Sequence, residues 1–175
     1  MLRPLAAELE ERRAAARLGG GEEKIARQHE QDKLTARERL ALLIDEGTFT
    51  ELGIHGRPHF AQRAMEGKEA PADGVVTGYG KVDGRLVAVA AYDFTVMAGS
   101  MGMTGELKVA RLRELALTKR IPMVWLLDSV LEDSELVGLE VTAFEAPDHE
   151  EERIAATETA MHVLEPFLDH LGGET

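Results

Sequence analysis

The sequence predicts an α/β fold: helices first, then a sheet built from a hairpin and a strand–helix–strand unit, then an acidic tail. Three observations carry this prediction. The apolar period is helical up to about residue 47, alternates in twos over 75–92 and returns to helical spacing over 104–119. Asp83-Gly84 separates two β-rich runs as a tight hairpin turn. The charge also changes character near residue 129. Residues 1–129 hold nineteen acidic and nineteen basic side chains, whereas 130–175 hold thirteen acidic residues against Arg153 alone, so the net −12 lies entirely in that last stretch. Three regions follow: N-terminal helices over 1–47, an α/β domain over 48–129 and an acidic tail over 130–175.

Within the first region, Pro4 to Arg17 reads as a helix with a thin apolar stripe of Leu5, Leu9 and alanines, stopped by Gly19, Gly20 and Gly21. Its charged, h-region-free start is no secretory signal. A second helix starts near Glu22, with Ile25 and His29 on one side. A third runs from Thr35 to Ile44: Thr35 is a good N-cap, Glu38 completes a capping box, and Leu40, Leu43 and Ile44 supply the buried stripe. Gly47 ends it.

In the second region Phe49–Leu52 is a short strand candidate and 53–72 is loop-like. Val75–Tyr79 and Arg85–Tyr92 are the hairpin strands. The second is apolar on both faces, Val87, Val89 and Ala91 on one and Leu86, Ala88 and Ala90 on the other, which places it centrally in its sheet. A helix from about Thr104 to Lys119 buries Leu107, Ala110, Leu112, Leu115 and Ala116 and turns Lys108, Arg111 and Arg113 outward. Arg120-Ile-Pro122 ends it, and Met123–Leu127 is a buried parallel strand closed by Asp128-Ser129. The tail is acidic and weakly patterned over 130–142 and helical over about 148–165.

Composition excludes several functions. Without cysteine there are no disulfides, thiolate catalysis or cysteine zinc sites. No basic footprint suits nucleic acid, and no apolar run approaches the ~18 residues of a membrane helix. The expected location is the cytoplasm, or an organelle matrix in a eukaryote. The six histidines show no metal spacing with acidic partners, and no Gly-x-Ser-x-Gly elbow surrounds Ser129.

The run GGGEEKIARQHEQDKLTARERLALLIDEGTFTELG, continued by DGVVTGYGKVDGRLVAV, YDFTVMAGSMG and KVARLRELALTKRIPMVWLLDS, resembles the opening of the carboxyltransferase (β) subunits of biotin-dependent acyl-CoA carboxylases. The resemblance covers residues 21–129 in collinear order. It implies part of a crotonase-like (ClpP/crotonase superfamily) spiral of ββα units, in a chain of two such domains about three times this length. Where the family continues with a glycine loop such as GGARIQEG, this chain reads Val130-LEDSELVGLEV, so the resemblance stops before the site is complete.

The reaction it implies is transfer of carboxylate from carboxybiotin, held on a partner carrier, to the α-carbon of an acyl-CoA. Deprotonating that carbon puts charge on the thioester oxygen, which calls for preorganised backbone N–H donors. By the resemblance, Ala98, Gly99, Ser100, Met101 and Gly102 supply half of them, and the other half belongs where Val130 and Leu131 stand. Taken alone, the same glycines also suit a tight strand-to-helix turn with no ligand. Lys108, Arg111 and Arg113 are candidate contacts for the CoA phosphates, or a solvated face paired with Glu106 and Glu114. No covalently bound cofactor and no metal are implied; the partners are acyl-CoA, a biotin carboxylase or biotin carrier subunit, and further copies of the chain. Two functions are therefore expected: a carboxyltransferase component incomplete and inactive by itself, or a non-catalytic assembly subunit docking through its N-terminal helices and acidic tail.

Overall fold

The computed structural model describes residues 2–128 and the strand 139–142. The elements are α1 (Leu2–Arg17), α2 (Glu22–His29), α3 (Ala36–Leu43), β1 (Thr50–Leu52), β2 (Val75–Val82), β3 (Arg85–Tyr92), α4 (Met103–Lys119), β4 (Met123–Leu126) and β5 (Leu139–Thr142). The tail helix expected over 148–165 lies outside the described residues.

The sheet has the order β1-β2-β3-β4-β5, antiparallel throughout except for the parallel pair β3–β4. The expected two-faced burial of β3 is present from Val87 onward, while Leu86 beside the hairpin turn is exposed. Val87, Val89 and Ala91 pack under α3 with Leu40, Leu43 and Ile44, while Ala88 and Ala90 pack under α4 with Val109, Leu112 and Ala116. The hairpin turn Asp83-Gly84 takes positive φ at both positions, as the Asp-Gly pair allows. It is tied to the end of α3, because the Asp45 carboxylate accepts from Asp83 N (3.1 Å) and Gly84 N (2.9 Å). The capping box of α3 forms in full: Glu38 N donates to Thr35 Oγ1 (3.3 Å), and Thr35 N donates to Glu38 Oε2 (2.7 Å).

Three local expectations change. β5 joins the sheet beside β4 in a stretch that showed no strand pattern, because pairing with an open edge supplies order that four residues cannot signal alone. In α2 the buried residue is Gln28, while His29 turns outward and lies 2.9 Å from Glu38 Oε1. On α4 the buried face is Gly105, Val109, Leu112 and Ala116, so Leu107 is 59% exposed and Lys108 turns inward. Two of the glycines that follow α1 are held against the turn after β3. Gly20 N donates to Thr95 Oγ1 (2.9 Å), and Gly19 and Gly20 lie so close to Asp93 and Thr95 that neither has room for a Cβ.

Candidate functional site

The turn between β3 and α4 is built outward from Asp93, which is buried. Asp93 Oδ1 accepts from Thr95 N (3.0 Å) and Thr95 Oγ1 (2.5 Å), and Asp93 N donates to the carbonyl of Gly74 (3.0 Å). Val96 N then donates to Asp93 O (2.9 Å), after which Met97, Ala98 and Gly99 all adopt left-handed φ of 51°, 53° and 75°. For Met97 and Ala98 that conformation costs roughly 1–2 kcal/mol each relative to the right-handed region. It is sustained by Gly99 N donating to Val96 O (3.2 Å) and Ser100 N donating to Met97 O (3.1 Å).

This turn gathers all five residues singled out for the donor site, but it does not leave them equivalent. Gly99 and Ser100 spend their amides inside the turn. Among the described residues, the amides of Ala98, Met101 and Gly102 have no hydrogen-bond acceptor. An exposed turn presenting unused N–H groups at the carboxyl end of a strand can accept an oxyanion or a carbonyl oxygen.

The first turn of α4 is already occupied by a carboxylate. Gly105 N donates to Asp73 Oδ2 (2.8 Å), and a Cβ at Gly102 would sit 2.5 Å from both Asp73 oxygens. Asp73 therefore caps α4 from another segment, in the space an ordinary N-cap side chain would fill. Gly102 lacks a side chain for that steric reason.

The three cations do not form one cluster. Lys108 Nζ donates to the carbonyls of Ala72 (2.8 Å) and Val75 (2.5 Å), and its aliphatic stem lies against Gly53 and Gly56. Burial lowers its ammonium to about 8, although Glu51 and Asp73 favour the charge and Arg37 disfavours it. The Arg113 guanidinium lies 5.7 Å from the Trp125 ring centroid, and Arg111 is exposed. Nothing in this arrangement turns Lys108 toward a phosphate, and its engagement with two carbonyls is the physical reason.

A second polar group lies at the ends of β3 and β4, where ligands commonly meet parallel strands. Asp93 and Asp128 are both buried there, and Arg39 Nη1 reaches Leu127 O at 3.1 Å. Burial raises the Asp128 carboxyl above its ordinary value; Lys33 and Arg39 oppose the rise and Asp93 adds to it. Burial likewise lowers Arg39, with Asp128 resisting. Sequence reasoning missed Asp73, Arg39 and Asp128 as site elements. The one local signal was a charged residue, Arg39, beside Leu40 on an otherwise apolar helix face. Among the described residues, no group of three His, Cys, Asp or Glu side chains stands together as a metal site.

A family model, the carboxyl transferase domain, matches residues 27–137. The chain belongs to the carboxyl transferase domain family. It is 43% identical over 122 residues to the propionyl-CoA carboxylase beta chain of Cereibacter sphaeroides, covering 70% of this chain and 24% of that one. It is 45% identical over 121 residues to the methylmalonyl-CoA decarboxylase subunit alpha of Veillonella parvula, covering 69% and 24%. Among solved structures, transcarboxylase 12S, a hexamer with methylmalonyl-coenzyme A bound, is similar at TM-score 0.71 and 41% identity over 74% of this chain and 25% of that one. The family's crotonase-like fold is thus the fold of this chain, with N-terminal helices leading into the sheet. The chain spans about a quarter of the length of the relatives it matches.

Proposed function

We propose that this chain carries the acyl-CoA half of a biotin-dependent carboxyltransferase site, with the 97–102 turn as the donor to the thioester oxygen. The observation that supports this most directly is the free set of amides at Ala98, Met101 and Gly102 on a left-handed turn at the carboxyl end of β3. Enolate formation at the α-carbon concentrates charge on one oxygen, and fixed N–H dipoles are the groups that stabilise it. In this reading the other half of the donors comes from elsewhere, since Val130-LEDSELV stands where the family's glycine loop would supply it, and carboxybiotin arrives on a partner carrier. The relatives' names span both propionyl-CoA carboxylase and methylmalonyl-CoA decarboxylase, so the shared chemistry of the reading is that of a short acyl-CoA thioester.

The test is an amide NMR titration of the chain with propionyl-CoA and, separately, with free CoA. Propionyl-CoA should shift the Ala98, Met101 and Gly102 amides and free CoA should leave them in place. No movement at these three amides at saturating propionyl-CoA overturns the reading. By the same argument, the 175-residue chain with a competent biotin carboxylase and biotinylated carrier should fix no bicarbonate above background; turnover would show that the other half of the donors is present in this chain.

A second role, assembly, rests on the outward face of α4, where Met103, Leu107 and Leu117 are exposed. The occupant proposed for it is another copy of this chain, in line with the hexamer assembly of the transcarboxylase 12S neighbour.

A further inference from the structure

We propose that Asp73 is a positioning residue for the 97–102 turn. It locks the turn's far end through Gly102 and Gly105, and so sets where the free amides of Ala98, Met101 and Gly102 point. The proposal rests on the donor role assigned above to those amides.

Ala72, Asp73 and Gly74 form a second left-handed run, with φ of 52°, 51° and 76°, directly before β2. Left-handed geometry is uncommon for residues other than glycine, and aspartate is one of the types that tolerates it best. Here it aims the Asp73 side chain away from its own strand and onto the start of α4. The carboxylate accepts from Gly105 N (2.8 Å) and rests against Gly102, whose missing Cβ leaves the room it occupies. Asp73 itself is 2% exposed.

The neighbouring contacts make this run a fixed mount rather than a loose cap. Gly74 approaches the carbonyl of Ser100 so closely that no Cβ fits between them, and its own carbonyl accepts from Asp93 N (3.0 Å) at the near end of the same turn. Lys108, one turn further along α4, holds the carbonyls of Ala72 and Val75. The 72–75 segment thus touches the 93–102 stretch at its start, its middle and its end. The two left-handed runs, 72–74 and 97–99, are braced against each other, and the Asp73 carboxylate ties the first to Gly102 and Gly105, which follow the second.

A carboxylate on a helix N-terminus also stabilises the helix as such, through the unpaired amides and the dipole. Positioning and plain capping are therefore separated by moving the carboxylate. Asp73→Gly keeps the left-handed backbone and removes the group. Asp73→Gly with Gly102→Asp returns a carboxylate to α4's own N-cap, where φ is −90° and suits an aspartate, but leaves it untied from the 72–74 run. Asp73→Asn retains shape and an acceptor oxygen.

The readout is hydrogen exchange at the Gly99 and Ser100 amides, which lie inside the turn, together with thermal unfolding. Asp73→Gly should speed exchange at both amides by about tenfold, the size of a lost cap, and lower the melting temperature. Asp73→Asn should restore most of the protection. The double variant should recover the melting temperature while Gly99 and Ser100 stay fast. Recovery of both in the double variant, or normal protection in Asp73→Gly, would reduce Asp73 to an ordinary cap and overturn the proposal. If Asp73→Gly does not fold, Gly102→Ala serves instead: it keeps Asp73 but displaces its carboxylate, and should speed the same two amides, with normal protection counting against the proposal. These measurements need no ligand. A chain that ignores propionyl-CoA yet shows the predicted exchange pattern would sink the donor reading and leave the positioning role standing.

Discussion

Lys108 is a cation held where water cannot fully reach it, and that has a measurable consequence. Burial lowers its folded value to about 8, while the free side chain titrates near 10.5. Between those two values the unfolded chain binds more protons than the folded one, so this residue makes stability rise with pH across that window. Below about pH 8 it is charged in both states and its desolvation works against the fold in full. Lys108→Met should abolish the rise. In urea unfolding at pH 7 and pH 9.5, wild type should gain on the order of 1–2 kcal/mol relative to the methionine variant. A constant difference at the two pH values would show that the ammonium is not desolvated. The residue type gave no hint of this: a lysine three positions before Arg111 on a helix reads as a surface charge, and the two carbonyls it grips lie more than thirty positions away.

At the scale of elements, the capping box of α3 was legible because its partners are three residues apart. Thr35→Ala should destabilise the chain by ~1 kcal/mol in urea unfolding at neutral pH. Burial alone would raise the Glu38 carboxyl; the hydrogen bonds from His29, from the Thr35 amide and from the Thr35 hydroxyl outweigh it and hold it below its ordinary value. Its contribution is therefore present above the ordinary carboxylate range and lost as pH falls through the lowered value. The penalty for Thr35→Ala should shrink in acid toward what the Glu38 N to Thr35 Oγ1 bond supplies alone; a penalty unchanged down to full protonation of Glu38 would mean the box contributes nothing through charge. The hairpin was legible on the same local grounds, through Asp83-Gly84 and the alternation of Arg85–Tyr92. β5 was not, because Leu139–Thr142 takes its order from β4. Nor was the seat of Gly20 against Thr95, a contact spanning seventy-five positions. The candidate turn divided in the same way. The family resemblance, and not glycine spacing by itself, singled out 98–102, but which amides remain free depends on φ signs that no residue pattern states.

For the whole molecule, exposed apolar side chains are spread over three helices: Leu5 and Leu9 on α1, Leu42 on α3, and Met103, Leu107 and Leu117 on α4. Self-association is the expected outcome, opposed by the acidic residues of 130–175, whose repulsion salt screens beyond ~8–10 Å. Sedimentation velocity should show larger species growing with concentration and with salt; a monomer at every concentration and ionic strength would contradict it. The sheet's connectivity adds a kinetic consequence. β2 and β3 pair residues only 3 to 17 positions apart, whereas β3 and β4 meet across a separation of 35. Hairpins close in ~1–10 μs, but a parallel pair must wait until the intervening chain has folded back, and loop closure opposes that step. The rate-limiting barrier should therefore sit at the docking of β4 onto a preformed hairpin. Val89→Ala in the hairpin should slow refolding, while Val124→Ala in β4 should chiefly speed unfolding. In a cell, a ribosome releasing this chain would expose a finished hairpin with one open apolar edge until β4 emerges. That interval, set by translation speed, is when the chain is most exposed to the wrong neighbour.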